Sequence, residues 1–182
     1  HWYASNPDMT RPTDRGLVPG LGAQLAVVGA CVDREPTMAG KPARPLLEAT
    51  CTRLGCHRPI FVGDRLDTDI LGARNVGITS LFVLTGAHGV HDLMDADPDR
   101  RPDHIGADLG ALLEPPQRVV VDGDVARCDG QLVRQIDGDL EVDLTNHDMA
   151  AQLSGVRALL ELVWTGGVPV NHDALSVFDL LH

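Results

Sequence analysis

The chain has 182 residues, 43% of them hydrophobic, and a formal net charge of −11. This composition supports a packed core and argues against global disorder. The acidic balance, without any cluster of Lys and Arg, argues against nucleic acid as the main partner, because phosphate backbones are bound through such clusters. No apolar run is long enough to cross a bilayer, so no membrane span is expected.

The cysteines and the opening residues bear on the cellular context. The cysteines lack CxxC spacing, which favours small buried hydrophobic side chains in a reducing cytosol over zinc ligands or disulfides. No signal peptide leads the chain, so a cytoplasmic protein is predicted. The opening HWYASNPDMTRPT follows no helix or strand, which suggests the back part of a longer protein. The four cysteines are Cys31, Cys51, Cys56 and Cys128.

The first third of the chain predicts two helices separated by a short strand. Residues 1–18 are polar, rich in proline and expected to be irregular. Pro19 and Gly20 then open a predicted helix over residues 20–34, and a strand follows at PTMAG. A second amphipathic helix follows GKP and ends at Gly55. The predicted buried stripes are Leu21, Leu25, Val28 and Val32 in the first helix, and Leu46, Leu47, Thr50, Cys51 and Leu54 in the second.

The middle of the chain alternates strands and helices. The apolar run PIFVG predicts a parallel strand buried on both faces, and TSLFVLTG predicts the next one. Between them, residues 69–76 predict a helix that Gly77 stops. RPDHIGADLGALLEPP predicts one more short strand and helix. This order indicates an α/β fold with a parallel sheet and right-handed crossovers.

The composition changes after Pro116, where we place a domain boundary. Three Asp-Gly pairs, at 122–123, 129–130 and 137–138, separate β-prone segments and predict a meander of hairpins. A helix and a short last helix follow, so residues 117–182 predict a small α+β domain. The long helix carries an apolar stripe of Met149, Leu153, Val156, Leu160 and Val163.

Three carboxylates follow the strand PIFVG, within the run GDRLDTD: Asp64, Asp67 and Asp69. Ligands of open α/β sheets bind at the carboxyl ends of strands, and clustered carboxylates are the hard oxygen ligands that Mg²⁺ prefers. We therefore predict that Asp64 is a metal ligand. Asp67 is more simply a cap of the following helix, and Asp69 lies where the helix dipole favours negative charge.

The second chemical signal is AGKP, which places Lys41 between a strand and a helix. A lysine at the carboxyl edge of the sheet can neutralise a phosphoryl group, although a surface lysine before a helix is also common. Pro42 is expected at the first position of that helix. His88 and His91, beside Asp92, form a loose pair that suggests a metal, but solvated loop histidines are the favoured interpretation.

The ordered set GKP, IFVGDRLDTDI and GITSLFVLTG resembles the haloacid dehalogenase (HAD) phosphatase superfamily, in its 4-nitrophenylphosphatase branch. The tail resembles the extra C-terminal domain of actinobacterial members, some of which act on glycerol 3-phosphate. The resemblance implies the C-terminal part of a Rossmannoid sheet. It also implies that residues 1–18 end a cap domain and its return linker, that 19–116 belong to the core, and that 117–182 form the extra domain.

The resemblance also assigns roles to residues. Lys41 becomes a catalytic and substrate-binding lysine, Asp64 a catalytic Mg²⁺ ligand, and Asp69 a metal ligand or supporting carboxylate. Asn6 and Asp8 match a stretch that lines the substrate entrance, but a simple Asx-Pro turn is nearly as well supported. The family's nucleophile motif, Asp-x-Asp-Gly-Thr, is absent from these residues and is expected upstream.

The leading hypothesis is a cytosolic, Mg²⁺-dependent phosphatase of a small phosphate ester, with glycerol 3-phosphate as the expected substrate. The chain alone is expected to be inactive, and its partners would be the missing N-terminal segment or a second copy. One alternative is a non-catalytic binding or regulatory fragment. Another is a receiver-like α/β domain, against which the order of GKP before GDRLDTD argues.

Overall fold

The computed structural model describes residues 1–168 and 172–181. The chain divides into two compact units. The first unit comprises His1–Phe82 and Asp99–Asp103, and the second comprises Val83–Pro98 and His104–His182. The predicted limits at 18, 116 and 182 remain predictions, and residues 169–171 and 182 of the predicted tail domain lie outside the described residues.

The first unit combines short strands with three helices. Its elements are β1 (Tyr3–Ala4), β2 (Thr10–Thr13), β3 (Gly16–Pro19), α1 (Leu21–Gly29), β4 (Thr37–Met38), α2 (Arg44–Leu54), β5 (Ile60–Gly63), α3 (Leu71–Val76) and β6 (Thr79–Val83), whose last residue falls in the second unit. β1 pairs with β4 and β5 pairs with β6, both in parallel register. The α/β fold class with a parallel sheet is therefore confirmed.

The expectation that residues 1–18 are irregular is wrong. β2 and β3 form an antiparallel hairpin in which Pro12 lies opposite Leu17. The turn is closed by Thr13, whose Oγ1 donates to the carbonyl oxygen of Gly16 at 2.7 Å, and Gly16 supplies a φ of +102°. The prolines obscured the hairpin in the sequence, because proline is tolerated only in edge strands such as these.

Helices α1 and α2 form, but they differ from the prediction at their ends and on their faces. α1 ends at Gly29 instead of continuing to residue 34, and Val28 and Val32 of its predicted stripe are 46% and 43% exposed. α2 begins at Arg44, so Pro42 is not its first residue. The reason is a turn before the helix, in which the amide of Ala43 donates to the carbonyl of Gly40 at 2.9 Å. Of the stripe predicted for α2, Leu47 alone is buried.

The strand β5 is less covered than its apolar run suggested. Ile60 is 42% exposed and Phe61 and Val62 are half-buried, so burial on both faces is wrong for the described residues. The helix after β5 begins earlier than predicted, with a π-helical turn over Leu66–Ile70 that continues into α3. Gly77 stops α3 in the left-handed conformation, as predicted.

The second unit contains an antiparallel sheet and one long helix. Its elements are α4 (Val90–Met94), β7 (His104–Gly106), β8 (Val119–Asp122), β9 (Val125–Cys128), β10 (Gln131–Ile136), β11 (Asp139–Asp143) and α5 (Met149–Gly166). β8 to β11 form the predicted meander. The helix predicted before Pro115 is only a 3-10 turn at Leu109–Leu113, and the short last helix is a 3-10 turn at His172–Val177.

The core of the second unit lies around α5, which contacts β8, β9 and β10. Its predicted stripe is buried except for Met149, which is 42% exposed. The helix begins at the cap of Asp148, whose carboxylate accepts from the amide of Ala151 at 2.8 Å. No helix among the described residues is long and apolar enough to cross a membrane.

The cysteines are free thiols in three different environments. Only Cys128 is buried, so the expectation of four buried cysteines is wrong for the others. Cys31 is exposed, because it lies just beyond the early end of α1. Burial raises the pKa of the Cys128 thiol despite the nearby Arg157, so this thiol stays protonated at neutral pH.

Candidate active site

Lys41 is the only lysine of the chain, beside fourteen arginines. It lies in the turn between β4 and α2, where Gly40 passes so close to the Ser5 carbonyl that a Cβ would collide with it. The Lys41 Nζ donates to Asp69 Oδ1 at 2.6 Å and lies 3.2 Å from Asp8 Oδ2. The predicted lysine is thus held between two carboxylates from distant parts of the sequence.

Asp69 is the most buried carboxylate of this cluster, with a side chain that is 6% exposed. Its Oδ1 accepts from Lys41 and its Oδ2 accepts from the backbone amide of Arg65 at 3.2 Å. Gly63 makes this position possible, since a Cβ there would overlap the Asp69 side chain. Both carboxylate oxygens therefore already hold a hydrogen bond within the protein.

Asn6 and Asp8 lie close together at the start of the unit. Asn6 Oδ1 accepts from the Asp8 amide at 3.1 Å, so Asn6 forms the Asx turn that the sequence left open. The Asp8 side chain is 16% exposed and contacts Lys41 and Arg65. Its Oδ1 is buried without a hydrogen bond among the described residues and lies 3.4 Å from Arg65 Nε. The turn thus carries Asp8 onto the lysine.

Arg65 belongs to the cluster and was missed by the sequence reasoning. Its guanidinium donates to both oxygens of Asp67, at 3.2 and 3.0 Å, and its side chain is 15% exposed. Burial lowers the pKa of Arg65. The hydrogen bond and charge of Asp67, together with the charges of Asp8 and Asp64, outweigh burial, so the pKa of Arg65 lies above its ordinary value. An arginine inside a run of three aspartates is the pattern that could have singled it out. Asp67 binds this arginine from the first turn of the π-helical segment.

Asp64 is the first residue after β5, at the carboxyl end of that strand, and is half-buried. Its carboxylate is close enough to Arg65 to raise the pKa of that guanidinium. Four carboxylates share the two cations Lys41 and Arg65, so the cluster keeps a net negative charge that a divalent cation would offset. Carboxylate oxygens at a strand end fit Mg²⁺, which needs few protein ligands.

Lys41 carries a full positive charge at every physiological pH. Burial lowers its pKa, but the hydrogen bond to Asp69 and the charges of Asp69 and Asp8 together outweigh burial, so its pKa lies above the ordinary value of 10.5. A fixed ammonium of this kind can stabilise an anion, and it cannot act as a general base near neutral pH.

Comparison with known proteins gives these residues a family context. Residues 38–112, which include Lys41 and the whole acidic run, match the HAD-hydrolase-like family. The D-glycerol 3-phosphate phosphatase of Mycobacterium tuberculosis is 46% identical over 111 residues, which cover 61% of this chain and 31% of that protein. The chain therefore spans about a third of the length of this curated relative.

Solved structures extend the similarity. The magnesium complex of a glycerol phosphate phosphatase from M. tuberculosis has a TM-score of 0.70 and 34% identity, covering 99% of this chain and 55% of that one. A 4-nitrophenylphosphatase from Thermotoga maritima has a TM-score of 0.53 and 36% identity, covering 59% of this chain and 41% of that one. The resemblance drawn from GKP and GDRLDTD is confirmed: residues 38–112 match the HAD-hydrolase-like family model, and the similar solved structures include a 4-nitrophenylphosphatase.

Proposed function

We propose that this chain supplies the phosphate-neutralising lysine and the Mg²⁺-binding carboxylate of a HAD phosphomonoesterase. The single observation that supports the proposal is the position of the only lysine, held 2.6 Å from Asp69 and in the same cluster of charges as Asp64. A chain that uses arginine at its other fourteen Lys or Arg positions keeps its one lysine ammonium at this point. A lysine ammonium offers a point charge, which differs from the planar fork of arginine.

The contacts support a separate role for each residue of the cluster. Lys41 would hold the phosphoryl oxygens of the substrate, and Asp69 would hold Lys41, since both Asp69 oxygens already accept hydrogen bonds. This arrangement favours the supporting role for Asp69 over direct metal ligation. Asp8 would fix the lysine from the other side, and Asn6 would act through Asp8 and not on the substrate.

Asp64 would hold Mg²⁺, because it lies at the strand end where ligands of open α/β sheets bind. When bound, Mg²⁺ would offset the negative charge of the phosphate and of the carboxylates. The nucleophilic aspartate, which would accept the phosphoryl group, is proposed to come from a segment outside these 182 residues, since they contain no Asp-x-Asp-Gly-Thr sequence. This segment would be the principal partner of the chain.

The proposed substrate is a small phosphate monoester, and glycerol 3-phosphate is our choice within that class. Two observations support it: the M. tuberculosis structure named for glycerol phosphate covers 99% of this chain, including the tail, and the curated relative of that name is 46% identical. In the complete protein, kcat/KM should be higher for glycerol 3-phosphate than for phosphoglycolate or 4-nitrophenyl phosphate. The reverse order would reject this substrate.

The anion-binding role of Lys41 can be tested without turnover, because Lys41 is the only ε-amine of the chain. Acetylation by an amine-reactive ester, followed by peptide mass spectrometry, measures its accessibility, and the α-amine of His1 serves as the internal control. Mg²⁺ with inorganic phosphate should slow acetylation of Lys41 and leave His1 unchanged. Asp64→Asn should remove the protection, whereas Asp67→Asn should preserve it. Equal rates with and without these ions would reject the proposed site.

A non-catalytic binding or regulatory fragment is the alternative, and it makes a different prediction. Such a fragment would protect Lys41 in the same way, but the complete protein would release no phosphate. Phosphate release from the ester panel therefore separates the two functions.

A further inference from the structure

Two histidines that are 81 positions apart in sequence face each other in the second unit. The Nδ1 atoms of His91, in α4, and His172, in the last 3-10 turn, lie 3.0 Å apart, and the ring centroids lie 5.2 Å apart. On its other side His172 contacts Asp95, with Nε2 2.8 Å from Oδ1. The pair that the sequence suggested, His88 with His91 and Asp92, is not this one, since Asp92 accepts from the amide of Gly89 at the start of α4.

The carboxylate determines the tautomer of His172. A carboxylate oxygen accepts only, so the His172 Nε2 that faces Asp95 must carry the proton. In the neutral ring the Nδ1 lone pair is then free to accept, and it points at His91 Nδ1. The Nδ1 lone pair of His172 therefore faces the Nδ1 of His91, while Asp95 contacts the Nε2 of the His172 ring.

A histidine that contacts a carboxylate through one ring nitrogen is a common arrangement in metal sites. A ligating histidine commonly donates its other N–H to a carboxylate, which fixes the ring and raises its basicity. Two nitrogens that each bind Zn²⁺ at about 2.0–2.1 Å with tetrahedral angles lie about 3.3 Å apart. The observed 3.0 Å separation is within a few tenths of an ångström of that value.

We propose that His91 and His172 bind a borderline divalent transition-metal ion such as Zn²⁺ through their Nδ1 atoms, with Asp95 positioning His172. On binding, the ring proton of His91 would move from Nδ1 to Nε2 by exchange with solvent, so that both Nδ1 atoms of the neutral rings offer lone pairs. No group of three His, Cys, Asp or Glu metal ligands occurs among the described residues, so water would complete the coordination. Imidazole ligands suit Zn²⁺, Ni²⁺ and Cu²⁺, and they do not suit Mg²⁺.

A metal ion at this site would link two segments of the second unit that are distant in sequence. His91 lies in the short helix α4, Asp95 is the C-terminal cap of that helix, and His172 begins the last 3-10 turn. A metal ion that joins them closes a loop of about eighty residues. Because the ion binds to the native state and not to the unfolded chain, it stabilises the native state. This site is distinct from the proposed phosphatase site, whose residues all lie in the first unit.

The test is a calorimetric titration of the chain with Zn²⁺ in a phosphate-free buffer that contains excess Mg²⁺, which occupies the proposed carboxylate site. His91→Ala and His172→Ala should each weaken Zn²⁺ binding by at least about tenfold, and Asp95→Asn should weaken it by about tenfold, as expected for a carboxylate behind a ligand. His88→Ala and His57→Ala are the controls and should change the affinity by less than about threefold.

Hydrogen exchange provides a second readout. Zn²⁺ should raise the protection of amides in residues 172–177 of the wild type and leave them unchanged in His91→Ala. Circular dichroism of the metal-free variants establishes that they fold, which is expected because both rings are exposed. Zn²⁺ binding that survives His172→Ala, or that His88→Ala weakens as much as His91→Ala does, would overturn the proposal.

Discussion

At the residue scale, the chemistry of the candidate site depends on one ammonium group. Lys41→Ala would remove the group that the phosphoryl oxygens are proposed to meet, and would leave Asp8 and Asp69 without their shared cation. Loss of one such charge-stabilising donor costs about 10²–10³ in kcat. We expect a fall of this size in the complete protein, measured as phosphate release with Mg²⁺.

Lys41→Arg is the matched variant for this prediction. It keeps the charge, but it replaces the compact ammonium, whose Nζ lies 2.6 and 3.2 Å from two carboxylates, with a larger planar guanidinium. We expect only partial rescue of kcat. Wild-type turnover in Lys41→Ala would remove the lysine from the mechanism.

Asp64 and Asp67 provide a second comparison, because they lie three residues apart at different positions, one after a strand and the other in a helical turn. Asp67 binds Arg65 and is 41% exposed, whereas Asp64 lies at the end of β5. We expect Asp64→Asn to weaken Mg²⁺ activation by at least about tenfold, and Asp67→Asn to change it little. Mg²⁺ dependence of turnover measures both effects, and a larger effect of Asp67→Asn would reverse the assignment.

The raised pKa of Lys41 predicts a change in stability at alkaline pH. A group whose pKa is higher in the folded protein adds stability below its ordinary value of 10.5, and loses it as the pH rises through the folded value. Lys41→Met lacks this cation at every pH. The difference in urea midpoint between the wild type and Lys41→Met should therefore be constant near neutral pH and shrink above about pH 10.5. A constant difference up to about pH 11.5 would contradict the raised pKa of Lys41.

At the scale of elements, the sequence predicted local turn chemistry better than burial. The hairpin turns at Asp129 and Asp137 form as predicted, because each Asp-Gly pair adopts two successive positive φ angles, which suit the twist of antiparallel strands. The faces of α1 and α2 could not be predicted. Helical spacing of apolar residues shows which side could be buried, but coverage depends on what packs against it, and Leu54 stays 71% exposed.

Gln152 shows how one element organises the second unit. It is fully buried in α5, donates to Asp179 and to the carbonyl of His147, and accepts from the amide of Leu180 at 2.9 Å. Gln152→Leu should lower the free energy of unfolding by about 1–3 kcal/mol, because it strips partners from several polar groups. Urea unfolding measures the loss. Gln24→Leu, at an exposed position of α1, is the control and should change stability by less than about 0.5 kcal/mol.

At the scale of the whole molecule, the sequence predicted which motifs occur and in what order, but not every contact between them. Lys41 and Asp69 could be expected at one sheet edge, since each follows a strand of a parallel arrangement. The bond between Asp8 and Lys41 could not, because it depends on the Asx turn of Asn6 and on the docking of residues 6–9 at the start of α1. Contacts of this range depend on backbone geometry that no local pattern encodes.

The last prediction concerns activity of the chain by itself. β5 pairs with β6 along one edge, and in the described part of the chain no strand pairs with its other edge. An edge of unpaired N–H and C=O groups beside Asp64 can accept another strand. These residues hold the proposed charges of the site but no Asp-x-Asp-Gly-Thr nucleophile. We therefore expect no release of phosphate from 4-nitrophenyl phosphate by residues 1–182 with Mg²⁺.

Addition of a segment that carries this motif on a strand, fused before His1 or supplied as a separate chain, should restore phosphate release and raise the urea midpoint, because the added strand pairs with β5 and brings the missing nucleophile. Replacement of the first aspartate of the added motif by asparagine is the matched control. It should keep the gain in stability and abolish the gain in turnover, which separates strand pairing from chemistry. Robust turnover by the chain alone, unchanged in Asp64→Asn, would place the chemistry elsewhere in the molecule.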